Sequence, residues 1–130
     1  MARRIAITAL LVAAVLVPGA GASPRQDEVR ATAPPRLLVT GREFSLTLSR
    51  ATIAPGRAIV QFANSGEDPH DLVIRRTGGN RSFRSGVTSP GDVAEFTAPL
   101  KAGPRYVLFC SLANHRFIGM KAHLQVSGSG

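Results

Sequence analysis

Near its C-terminal end the chain reads Cys110-Ser-Leu-Ala-Asn-His115-Arg-Phe-Ile-Gly-Met120, which sets a thiol, an imidazole and a thioether at C-x4-H-x4-M spacing. Forty residues before the cysteine, Asp68-Pro69-His70-Asp71 supplies a second imidazole. Singly, each residue has an ordinary reading: Met120 as core filler, Cys110 as a small buried hydrophobe, His70 as a hydrogen-bonded histidine, His115 as a solvated one. Jointly they form a donor set. A thiolate and two imidazoles with a weak, long thioether make the trigonal site of electron-transfer copper. The sulfurs suit Cu(I) and the imidazoles suit both oxidation states, so a compromise geometry needs little rearrangement when an electron moves. Zinc takes Cys and His readily, but Met is a poor zinc ligand. The expected metal ligands are therefore His70, Cys110, His115 and Met120, around one copper ion.

The residues outside this set narrow the class. Cys110 is the only cysteine of the 130 residues, so no internal disulfide is open to it. Residues 1–22 have the three parts of a secretory signal: basic Arg3-Arg4, an apolar run from Ile5 to Val17, and Ala20-Gly21-Ala22 before a cleavage point. The run is too short to span a membrane, which needs about 20 apolar residues. The expected product is exported to a periplasm, a cell envelope or the medium, with no membrane attachment after cleavage. Loss of Arg3 and Arg4 takes the formal charge from +8 to +6. That surface favours an acidic partner. The cations are scattered and aromatics few, so nucleic acid is not an expected partner.

The elements that must bring His70 to the loop are short strands. Residues 23–36 are polar with three prolines and read as a flexible lead. From Leu37, apolar alternation is broken by Gly, Pro, Asn and Asp at intervals of about 8 to 12 residues, the rhythm of an all-β sandwich. Phe44, Leu46 and Leu48 share a face, as do Ala58, Val60 and Phe62; then His70, Leu72 and Ile74; Ala94 and Phe96; Tyr106, Leu108 and Cys110; Met120, Ala122, Leu124 and Val126. His123 alternates with the last set and faces solvent. Residues 77–91 read as irregular, with room for a short helix. Six or seven strands without a long helix predict a Greek-key antiparallel β-sandwich over 37–126, with 127–130 as a frayed tail.

His70-Asp71-Leu-Val together with Cys110-x4-His115-x4-Met120 resembles the cupredoxin family, which includes plastocyanin, azurin and pseudoazurin. The resemblance covers about residues 37–126 and implies a type 1 copper at one end of the sandwich and one-electron transfer. Two departures stand out. Many members carry Asn after the first histidine, where it ties the two loops together; this chain has Asp71, facing Ser111, which can make the same tie and whose charge would lower the potential. The proline common between Cys and His is replaced by Ala113-Asn114.

On this reading the chain is a monomeric electron shuttle and not an enzyme, since no second histidine cluster supplies an open catalytic position. His115 would lie near the surface, ringed by Ala113, Phe117 and Ile118, with Arg116 steering an acidic redox partner protein. The alternative is a copper-binding protein for delivery, storage or protection. Carriers often expose Met-rich or His-rich segments, and this chain has only Met1 and Met120.

Overall fold

Along residues 56–64 the side chains of Ala58, Val60, Phe62 and Asn64 are buried, and those between them are open or half-open. A period of two is what a strand with one covered face requires. The same alternation recurs through a computed structural model that describes residues 33–128. The signal expected over 1–22, most of the lead expected over 23–36 and the last two residues of the tail lie outside the described residues. Among those described, the strands are β1 (Arg36–Arg42), β2 (Ser45–Leu48), β3 (Thr52–Ile53), β4 (Gly56–Asn64), β5 (Val73–Arg76), β6 (Ser82–Arg84), β7 (Val93–Leu100), β8 (Arg105–Phe109) and β9 (Lys121–Val126).

They form two sheets, ordered β2-β1-β4-β7 and β3-β9-β8-β5-β6. The expected sandwich is present, and each sheet holds one parallel pair beside its antiparallel ones: β1 with β4, and β3 with β9. No helix makes the β1-to-β4 crossover. The chain instead leaves the first sheet after β2, adds β3 to the second and returns as β4. The inward residues of both sheets meet in one core that includes Leu37, Val39, Phe62, Ile74, Leu108 and Leu124. Each such side chain contributes about 1.5–3 kcal/mol by leaving water. A one-residue slip in any strand would turn its set outward, so the core fixes the register.

Two segments differ from the sequence reading. Phe44 keeps the half-buried alternation of Leu46 and Leu48 but lies before the strand, in the two-residue turn Glu43-Phe44 between β1 and β2. Within 77–91 there is no helix. That stretch supplies the edge strand β6, and its Thr88 pairs with His70 in an isolated antiparallel bridge. The Gly and Ser residues that made it look irregular lie around strand segments too short to show a period.

Register places the candidate ligands at one end of the sandwich. Val73 at the start of β5 lies opposite Phe109 at the end of β8, and Phe109 lies opposite Lys121 at the start of β9. His70, Cys110 and Met120 are therefore the residues just beyond three neighbouring strand ends.

Candidate metal centre

Cys110 follows the last residue of β8 and Met120 precedes the first of β9, so the loop between them must close on itself. Its backbone does so: the Cys110 N–H donates to the Met120 carbonyl at 3.2 Å, and the Met120 N–H donates to the His115 carbonyl at 2.9 Å. Further turns inside the loop run from the His115 N–H to the Leu112 carbonyl and from the Phe117 N–H to the Asn114 carbonyl. Two positive φ angles let the loop fold back, +45° at Ala113 and +127° at Gly119. At Gly119 an added Cβ would also stand 3.1 Å from the Phe44 carbonyl oxygen, so both conformation and space call for glycine.

His70 comes from the other side. Its N–H donates to the Thr88 carbonyl at 3.1 Å, and the Thr88 N–H donates back at 2.7 Å. The loop before it is held by buried Asn64, whose amide nitrogen donates to the Asp68 and Thr88 carbonyls at 2.8 and 2.9 Å and whose oxygen accepts from the Gly66 N–H at 3.0 Å. Every polar atom of that buried side chain is used, as burial demands.

The result is a convergence of three donors. His70 Nδ1 and His115 Nδ1 are 3.2 Å apart, and Cys110 Sγ lies 3.9 Å from the first and 3.6 Å from the second. Among the described residues this is the group of His, Cys, Asp or Glu close enough to share a metal ion. Bonds of about 2.0 Å to nitrogen and about 2.3 Å to sulfur give donor–donor separations of about 3 to 4 Å, so the donors present fit a first-row ion. His70 and Cys110 are fully buried and His115 is partly open. Met120 is fully buried at the foot of the same loop, its methyl 3.1 Å from where a Cβ on Gly41 would stand. Two sulfurs and two imidazoles are a donor set that suits copper.

Among solved structures the chain is similar to three auracyanins. The dithionite-reduced auracyanin of Roseiflexus castenholzii is 19% identical with a TM-score of 0.55, over 71% of this chain and 96% of that one. Auracyanin B is 15% identical with a TM-score of 0.58, over 71% and 88%. Auracyanin A of Chloroflexus aurantiacus, described as a "blue" copper protein, is 13% identical with a TM-score of 0.57, over 73% and 100%. The chain has the cupredoxin-like fold of these three proteins. No family model and no curated protein matches its sequence.

Around the donors the lining is not purely apolar. Asp71 accepts from both the N–H and the hydroxyl of Ser111, each at 2.5 Å, which is the expected tie between the two ligand-bearing segments. Burial pushes the Cys110 thiol above its ordinary pKa, against the pull of the Asp71 and Leu112 backbone N–H groups. A bound cation would reverse that balance and hold the sulfur as thiolate. Phe44 packs on His115, ring centroids 4.7 Å apart. Arg116 lies over the Phe109 ring, its guanidinium carbon 4.2 Å from the centroid. Beside His115, Phe117 and Ile118 are 84% and 50% exposed. His123 is exposed on the outer face of β9.

Four residues here were not singled out as site residues from the sequence: Glu43, Phe44, Asn64 and Thr88. The one local signal was Asn64-Ser65-Gly66, a turn sequence whose first residue is also the last inward position of β4.

Proposed function

We propose that the chain is an exported type 1 copper protein that carries single electrons between redox partners, with one copper ion held by His70, Cys110, His115 and Met120. The observation that carries this reading is the approach of two imidazole nitrogens and a thiol sulfur to within 3.2–3.9 Å of one another. Copper, when bound, supplies the one-electron Cu(I)/Cu(II) couple. The protein contributes a fixed donor set, so that little has to move when the electron does.

Burial of His70 and Cys110 keeps water from that side of the site, and half-open His115 offers the short route out. Phe117 and Ile118 give an apolar contact zone around that route. The formal charge of +6 left after loss of Arg3 and Arg4 favours an acidic redox partner, and the association should weaken as salt rises. A delivery protein would need donors that a recipient can reach. Here two of the converging three are sealed in the sandwich, which favours the shuttle.

The test is the visible spectrum of the Cu(II)-loaded protein beside Cys110→Ser. An intense blue band that is bleached by reductant and absent in the variant is expected. A colourless protein that takes up no copper would refute the reading, and a colourless protein with tight Cu(I) binding would favour the carrier.

A further inference from the structure

The turn between β1 and β2 places two consecutive residues against the two histidines: Glu43 on His70, and Phe44 on His115. The Glu43 contact is specific. One oxygen, Oε1, receives the Glu67 N–H at 2.7 Å and the Asp68 N–H at 2.9 Å, and lies 3.0 Å from His70 Nε2. The carboxylate is seated flush on the loop: a Cβ added to Gly66 would stand 2.2 Å from Oε1. Among the described residues Glu43–His70 is the one contact between a carboxylate and a basic side chain within 4.0 Å.

An oxygen that already accepts two backbone N–H groups, on an ionised carboxylate, has no hydrogen to give. The proton between Glu43 and His70 must therefore sit on Nε2. In a neutral ring that leaves Nδ1 bare, and Nδ1 is the nitrogen facing Cys110 and His115. We infer that Glu43 is a positioning residue for the metal centre, which locks His70 in the tautomer that presents Nδ1 as a ligand and whose negative charge favours the oxidised ion. This rests on the copper reading given above. It follows the general carboxylate–histidine–metal arrangement, in which the outer partner fixes ring orientation and raises ligand basicity. Glu43 also joins two tasks, because the same oxygen that orients the ring anchors the loop carrying it.

Two substitutions separate charge from geometry. In Glu43→Gln the amide oxygen can still accept all three hydrogens, but the charge is gone. In Glu43→Ala both are lost. The first readout needs no copper: imidazole 15N shifts of His70 in the metal-free protein. The native protein and Glu43→Gln should show the Nε2–H form, and Glu43→Ala should show a comparable share of Nδ1–H. The second readout is the potential of the copper-loaded protein. Glu43→Gln should favour Cu(I) about tenfold more than the native protein, a rise of about 59 mV for one electron. A native ring protonated mainly at Nδ1, or an unchanged potential in Glu43→Gln, would overturn the inference. If Glu43→Ala does not fold, the native tautomer and Glu43→Gln decide it. A protein that binds no copper would sink the metal reading instead, and the tautomer ratio alone would then decide the role of Glu43.

Discussion

The two segments that deliver the donors are held in opposite ways. The loop from Cys110 to Met120 is closed by hydrogen bonds among its own eleven residues, with Cys110 bonded to Met120 and Met120 to His115. The segment from Asn64 to His70 has some local bonding, but its last residue is fixed from far along the chain: by Thr88 on one side and Glu43 on the other. Closing a short loop carries little entropy, and each added internal bond makes it more nearly a unit. The His70 segment has no such independence. Its geometry exists only once β1, β4 and the stretch after β6 have assembled.

That contrast is tested most severely at Asn64. Asn64→Ala removes three hydrogen bonds, to the Gly66 N–H and the Asp68 and Thr88 carbonyls, although the Thr88 carbonyl keeps the His70 N–H. Each bond contributes about 0.5–1.5 kcal/mol net, so a loss of about 3 kcal/mol is expected. For a domain of this size that lowers the melting temperature by more than about 10 °C. Hydrogen exchange in the metal-free variant locates the damage. The His70 and Thr88 amides should exchange much faster, relative to global unfolding, while Cys110 and Met120 keep their protection. Equal loosening of both segments would show that the loop has no independent hold.

The same asymmetry explains what could be read from the sequence. The approach of Cys110 to His115 was legible because spacing within one loop survives in the linear chain, and His70 because a second imidazole was needed. Most of the inward strand rows were legible through their period of two, as with Ala58, Val60 and Phe62. Glu43 was not, because an acidic residue in a short turn is common, and only the fold brings it 3.0 Å from a ring 27 residues away. The contact of Phe44 was hidden for a related reason. It keeps the alternation of Leu46 and Leu48, but the chain is still turning there, and its ring packs on His115. Thr88 was hidden in a Gly- and Ser-rich stretch with too few residues per strand to show a period.

Asp71 is where the two segments meet, and Asp71→Asn sharpens the comparison there. The amide keeps an oxygen for the Ser111 N–H but exchanges two charge-assisted bonds for neutral ones. A loss of about 1 kcal/mol is expected, which lowers the melting temperature by about 4–8 °C. Neither segment's internal bonds are touched, so exchange should rise at Ser111 and not at Met120 or Thr88. Removal of a negative charge beside Cys110 should also raise the potential of the copper-loaded protein. An unchanged potential would leave Asp71 as a mechanical tie only.

The smallest effect is expected inside the loop, at Ala113. Its φ of +45° lies where an L side chain is strained by about 1–2 kcal/mol. Proline, which stands near this place in the relatives the sequence resembles, has φ fixed near −65° and cannot follow this path. The loop thus gets its shape from a left-handed residue and internal bonds instead of a ring. Ala113→Gly relieves the strain, and the greater freedom of glycine in the unfolded chain offsets about 0.4–1 kcal/mol of that gain. Ala113 is exposed, so no packing is lost. The expected net is a stabilisation of about 0 to 1.6 kcal/mol in thermal melts of the metal-free protein, with the copper spectrum unchanged. A clear destabilisation would mean that restriction of the unfolded loop by Ala113 matters more than the strain it carries. The self-closure of the 110–120 segment would then depend on a stiff chain as well as on its hydrogen bonds.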